Sequence, residues 1–263
     1  MDLGIKGKVA LVAAASKGLG KASALELARE GARVVIAARG EEDLMAAADE
    51  IRGATGAEVL PVRADVTALA DIEALVRAAQ DAFGDVDILV NNAGGPRPGT
   101  FTDMSDEDWL AALNLNLMST VRLTRLVLQG MQQRGWGRII NLTSISVKQP
   151  LPNIILSNAA RSAVVAMAKT LALQVAADGI TVNNVCPGTI LTDRVRSLVA
   201  NTAQQQGITQ EEALAAMQAD IPAGRIGRPE ELAALVAFLA SDRAAYITGA
   251  TIQVDGGVYR GLL

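Results

Sequence analysis

The sequence predicts an α/β fold: a doubly wound parallel sheet covered by helices on both faces, three layers in all. Short β-branched runs alternate with longer Ala/Leu-rich stretches along the chain, and no linker or shift in composition divides it. At 263 residues it is long enough to build one large core without splitting. Repeated βα units call for a parallel sheet, because each crossover helix returns the chain to the same edge and covers a face. One domain over residues 1–263 is therefore expected.

The elements follow in order. "KVALVAAA" is short and apolar and reads as a strand, and "LGKASALELAREG" after it reads as a helix. "RVVIAAR" pairs in the same way with "EEDLMAAADEIRG", and "EVLPVRADV" with "ADIEALVRAAQDAFG". "VDILVNNAG" is the fourth strand. The long helix "SDEDWLAALNLNLMSTVRLTRLVLQGMQQRG" opens with Ser105 as N-cap and Asp108 at the capping-box position. Strand "RIINLTS", a helix over 156–178 and strand "ITVNNVCPG" continue the alternation.

Composition narrows the chemistry. The chain has no histidine, which excludes a Ser-His-Asp triad, a His-ligated metal site and the commonest general base. A single cysteine, Cys186, leaves no disulfide framework and no thiolate metal cluster, so no metal is expected. A net charge of −4 gives no electrostatic reason to bind nucleic acid. Half of the residues are hydrophobic, yet no uncharged run reaches membrane-spanning length, and the start lacks the ordered regions of a secretory signal. A cytoplasmic protein without membrane or nucleic-acid partners is the expectation.

Candidate chemistry begins at "VAAASKGLGKA", where Gly18 and Gly20 lie between a strand and a helix. Glycines there let a diphosphate approach the backbone and face the helix N-terminus. Further marks are "ADV" with Asp65, "NNAG" at Asn91 to Gly94, and Asn116 seven residues after Trp109. Ser144 follows the "IINL" strand, Pro187–Gly188 is followed by Thr192, and "ITGATIQVDGG" stands near the C-terminus. In this order the motifs make the chain resemble the short-chain dehydrogenase/reductase family over essentially its whole length. Among subgroups it is most similar to members labelled 3-oxoacyl-[acyl-carrier-protein] reductase. The resemblance implies a Rossmann-type sheet and a nicotinamide cofactor. It places that cofactor on Ala14, Ser16, Lys17, Gly18, Leu19, Gly20, Arg39, Asp65, Val66, Asn92, Ala93, Gly94, Arg161, Pro187, Gly188 and Thr192.

Two departures from the family pattern matter. Where TGxxxGxG opens with threonine and glycine, this chain has Ala13 and Ala14. If that glycine supplies a left-handed torsion, alanine there costs about 1 kcal/mol and weakens cofactor binding without abolishing it. The second departure is in the tetrad of Asn, Ser, Tyr and Lys. Asn116 and Ser144 match, but counting on from Ser144 reaches Ser157 and then Arg161. These lie one turn apart on one helix face, so the spacing of a Tyr-xxx-Lys pair is kept while its acid is lost. A serine hydroxyl is a far weaker acid than a phenol, and arginine does not give up its proton. The catalytic candidates are therefore Asn116, Ser144, Ser157 and Arg161. Tyr246 and Tyr259 read as packing or subunit contacts.

Charge argues for NADP(H) over NAD(H). Ala38 stands where NAD-dependent relatives carry an acid at the end of the second strand. Arg39 and Lys17 are placed to converge on a 2′-phosphate with no competing acid. Residues around 189–226 are expected to form a helical lid, with Leu198, Val199, Leu214 and Met217 as its apolar inner face and Gln149 to Asn153 as the opposite wall of a mainly apolar pocket. The 156–178 helix is apolar nearly all round, with Ala159, Ala160, Ala163, Val164, Met167, Leu171 and Val175, and so needs partners on two sides. A homo-oligomer, a tetramer by resemblance, is expected. Two functions stay open: an NADP(H)-dependent oxidoreductase acting on a carbonyl or alcohol of a small or acyl-type substrate through an atypical site, or a catalytically impaired homologue that binds nucleotide or partners an active subunit.

Overall fold

The computed structural model describes residues 2–262. Seven strands form one sheet: β1 (Val9–Val12), β2 (Arg33–Ala38), β3 (Val59–Arg63), β4 (Ile88–Asn91), β5 (Gly137–Leu142), β6 (Ile180–Pro187) and β7 (Thr251–Val254). Their order is β3-β2-β1-β4-β5-β6-β7, and every pairing is parallel. This is the Rossmann-type doubly wound sheet that the βα rhythm predicts.

The strands alternate their side chains between two cores, as a period of two requires. From β1, Ala10 and Val12 pack against α1 (Gly18–Arg29), α2 (Glu41–Thr55) and α9 (Pro229–Leu239). Leu11 and Ala13 face α3 (Leu69–Phe83), α5 (Ser119–Arg134) and α6 (Ile155–Val175). Both faces of β1 are thus dry, and Leu11, Val12 and Ala13 are fully buried.

A polar ladder crosses this apolar sheet. Asn91 Nδ2 donates to Asn141 Oδ1 at 2.9 Å, Asn141 Nδ2 to Asn184 Oδ1 at 2.9 Å, and Asn184 Nδ2 to Thr251 Oγ1 at 3.1 Å. These residues sit side by side in register across β4 to β7. Buried amides must find partners, and here each finds the next, which fixes the mutual register of four strands.

Ser105 caps α4 (Asp106–Leu113) through the capping box with Asp108, as the sequence implies. The single long helix expected after it is interrupted by a π-helical stretch, Asn114–Met118, before α5. The helix expected over 156–178 is α6, which tightens into a 3₁₀ turn at Ala176–Asp178. The segment expected as a lid carries α7 (Asp193–Gln206) and α8 (Gln210–Ala219). Among the described residues no helix is long and apolar enough to cross a membrane.

Candidate active site

Strand order reverses between β1 and β4, so their C-terminal ends part and leave a crevice, the place where open α/β sheets bind ligands. A cleft of about 510 Å³ opens there. One wall is the β1–α1 loop, with Ala14, Lys17, Gly18 and Leu19. Asn92 to Pro96 form the floor, Leu142 to Ser144 with Ile154, Ser157 and Arg161 the far wall, and Pro187, Gly188, Ile190 and Thr192 to Val195 the cover.

The loop is built tightly. Ala14 has a φ of 48°, the left-handed torsion that the alanine was expected to strain. Its carbonyl accepts from Asn92 Nδ2 at 3.1 Å, tying the loop to the end of β4. A Cβ on Gly20 would stand 2.4 Å from that same carbonyl oxygen, so only glycine fits. A Cβ on Gly94 would meet nothing within 4 Å, which leaves open space above the floor. These are the features that a diphosphate cradle needs at a helix N-terminus, and the residues present fit a dinucleotide.

Beyond Gly94 the polar groups converge. Arg161 reaches from α6 under the ends of β4 and β5. Its Nη1 donates to the carbonyls of Leu142 (3.0 Å) and Thr143 (3.1 Å), and its Nη2 to those of Ala93 (3.3 Å) and Gly94 (3.4 Å). It has no carboxylate partner among the described residues. Burial, with the charge of Arg194 adding to it, pushes its pKa down to about 10, so it stays protonated at neutral pH. The family resemblance puts its donors at the cofactor. Four of them clamp two strand ends instead, because carbonyls left at the ends of the ladder need donors.

Asn116 lies in the π-helical stretch, a distortion frequent at functional sites. Its Nδ2 donates to Gly94 O at 3.1 Å, and its buried Oδ1 has no partner. It stands behind the floor, in a small void it shares with Asn91 and Arg161, rather than on the main cleft. Ser144 and Ser157 both line the cleft. The Ser144 hydroxyl accepts from the Ser146 amide at 3.1 Å.

The expectations about the charge at Lys17, the lid face and the opposite wall need correction. Lys17 is not free of a competing acid: its ammonium pairs with Asp43 at 2.7 Å, because the first turn of α2 swings that carboxylate across the loop. This contact raises the lysine pKa, with Asp193 contributing. Arg39, Asp65, Val66, Ser16 and Gly20 lie off the cleft lining. Arg39 is close enough to Asp65 to help hold that carboxyl below its ordinary range, an effect led by the amide of Thr67. Leu198, Val199, Leu214 and Met217 do not face the cleft. Val199, Leu214 and Met217 pack in the seam where α7 and α8 meet each other, and Leu198 is exposed. Two short amphipathic helices joined by a tight turn bury their apolar faces mutually first. Gln149 to Asn153 are all exposed, and Pro96 and Ile154 supply that wall. Tyr246 is fully exposed. Tyr259 is half-buried, with the Lys148 ammonium 5.3 Å from its ring centre.

Sequence reasoning missed Gly95 and Arg194. The doubled glycine in "NNAGG" was the available signal for the first. Arg194 had none, since a lone arginine in a polar helix usually points to solvent.

A family profile described as enoyl-(acyl carrier protein) reductase matches residues 13–259. The 3-oxoacyl-[acyl-carrier-protein] reductase of Vibrio cholerae is 41% identical over 257 residues, covering 98% of this chain and 99% of its own. The L-sorbose reductase of Gluconobacter frateurii, solved with NADPH and L-sorbose, superposes with a TM-score of 0.96 at 38% identity, with 100% of both chains covered. A short-chain type dehydrogenase/reductase from Mycobacterium marinum superposes with a TM-score of 0.88 at 33% identity, covering 99% of this chain and 98% of its own. With that coverage on a shared parallel sheet, the chain belongs to the short-chain dehydrogenase/reductase family.

Proposed function

We propose that the protein is an NADP(H)-dependent oxidoreductase that interconverts a carbonyl and an alcohol on a small or acyl-type substrate through an atypical site. The observation that carries this reading is the continuity of the cleft: the close-packed glycine loop, Ser144 and Ser157 line one cavity. The NADPH-bound relative of the same fold supports the cofactor.

NADPH, when bound, supplies the hydride. The α1 N-terminus and the backbone around Gly18 to Gly20 would take its diphosphate, and Asp65 and Val66 would border the adenine. Asn92 to Gly94, Pro187, Gly188 and Thr192 would line the nicotinamide half. Arg39 would meet the 2′-phosphate. Lys17 would join it by leaving Asp43, since an ion pair with both side chains about half exposed is weak. At the far wall the hydroxyls of Ser144 and Ser157 hydrogen-bond the carbonyl oxygen. Ser157 and Arg161 occupy the places of a tyrosine and lysine, and the proton arrives from a weak acid, so reduction is slow.

A second reading, a nucleotide-binding homologue without catalysis, is favoured by one observation: Arg161 has four donors committed to the scaffold. The cation would then serve architecture alone. Incubating the protein with NADPH and a broad carbonyl panel, after calorimetric titration with NADP⁺ and NAD⁺, separates the two. NADP⁺ binding with slow NADPH oxidation supports the oxidoreductase. Binding without turnover on any carbonyl supports the second reading.

The protein is also proposed to be a homo-oligomer. Ala159, Ala166 and Leu173 are exposed on the outer face of α6 at seven-residue spacing, and Leu173 is 75% exposed. Such a stripe on a helix already buried on its inner face is what a second subunit would cover.

A further inference from the structure

Arg194 stands two residues after Thr192, in the first turn of α7. Its guanidinium lies against the floor at Gly95, so close that a Cβ there would sit 2.1 Å from Nη1 and 2.8 Å from both Cζ and Nη2. Among the described residues it has no ion-pair partner. Arg161 faces the same cleft without a carboxylate.

The neighbouring charges say which end of the cleft Arg194 serves. It acts on Arg161, lowering that pKa, and is absent from the charges that act on Lys17. Asp193, the one carboxylate on the cleft lining, acts on Lys17 instead. Positive charge is therefore uncompensated at the end that holds Ser144 and Ser157, and compensated at the glycine-loop end. Two like charges facing one cleft repel each other, and an anion between them removes that repulsion. A guanidinium fork offers paired donors that match a carboxylate.

We infer that Arg194 is a specificity-determining residue that binds the carboxylate of an oxo-acid or hydroxy-acid substrate, with Gly95 kept bare to seat its guanidinium. This rests on the oxidoreductase reading and names its substrate class. Carbonyl and carboxylate would then be held by different groups: the carbonyl by the two serines, the carboxylate by the arginine from the cover. The Arg161 charge adds attraction without giving up its four backbone bonds.

The test is calorimetry on the full chain saturated with NADP⁺, using 2-hydroxybutanoate, 3-hydroxybutanoate and 4-hydroxypentanoate, each against its methyl ester. At least one acid should bind at least tenfold more tightly than its ester. Arg194→Met should abolish the preference and Arg194→Lys keep part of it. Gly95→Ala, which leaves the charge in place and displaces the guanidinium, should also reduce it. NADP⁺ affinity should be unchanged in Arg194→Met. Acids and esters binding alike, or a preference that survives Arg194→Met, would overturn the inference. So would a loss of NADP⁺ affinity in Arg194→Met, which would assign the arginine to the cofactor diphosphate. Failure of NADP⁺ to bind the unaltered chain would defeat the cofactor reading alone, and the same acid and ester titrations without nucleotide would still decide the carboxylate site.

Discussion

Gly20 lies so close to Ala14 that a Cβ at position 20 would stand 2.4 Å from the Ala14 carbonyl oxygen. The same oxygen is held by Asn92, so the loop cannot simply move away. Gly20→Ala should destabilise the fold by roughly 2 kcal/mol, the scale of overpacking in a tight site. It should also weaken nucleotide binding. Ala14→Gly acts in the opposite direction: it relieves a left-handed alanine and should stabilise by about 1 kcal/mol. Denaturant unfolding of the two variants checks both signs.

Arg161 should prove to be part of the scaffold as well as of the site. Arg161→Met takes a donor from four backbone carbonyls, of which Gly94 O keeps the Asn116 amide, and should cost roughly 2 kcal/mol, even though it removes a buried charge. Arg161→Lys should lose less, because an ammonium keeps up to three donors. Thermal unfolding at matched pH measures the difference. Unchanged stability in Arg161→Met would show that the carbonyls find other partners.

Cys186 gives a pH prediction. Its thiol is fully buried and accepts or donates a hydrogen bond with Thr143 Oγ1 at 3.1 Å. Burial holds its pKa above the ordinary 9.0. A raised folded pKa means that the native state keeps the proton more tightly than the unfolded chain. The stability this lends is full below about pH 9 and lost as pH rises through the higher folded value. Cys186→Ala should flatten that alkaline loss, and Ellman's reagent at pH 8 should react with the native protein only at the rate of unfolding.

The fold was legible because its signal is repetitive: strand and helix alternate, and both faces of β1 are buried, so a run such as "VALV" has no polar gap. The strained Ala14 was legible too, since the position calls for a torsion that alanine resists. What escaped the sequence depended on three-dimensional competition. Nothing in the spacing says that Asp43 reaches Lys17 before a ligand does, or that Arg161 spends four donors on strand ends. The α7–α8 seam misled for the same reason: an amphipathic face announces that it will be buried, not against what.

Removing the outer stripe of α6 should change assembly. Leu173→Glu places a charge on the exposed apolar face and should shift sedimentation from the proposed oligomer toward smaller species at micromolar concentration, with the far-ultraviolet spectrum unchanged. A wild-type monomer under those conditions would contradict the proposed oligomer.

On the proposed function, the cleft binds NADP(H) and a carbonyl while its proton donor is weak. Positioned general acids contribute about 10²–10⁴-fold, so restoring a phenol should be visible in turnover. The direct measurement is NADPH oxidation at saturating cofactor for the wild type, Ser157→Ala, Ser157→Tyr and Ser157→Tyr with Arg161→Lys, on the carbonyl that binds best. Wild-type turnover should be slow, with a further fall in Ser157→Ala and a rise of roughly 10²-fold in the double variant. Fast wild-type turnover left untouched by Ser157→Ala would contradict it, because another group would then be supplying the proton.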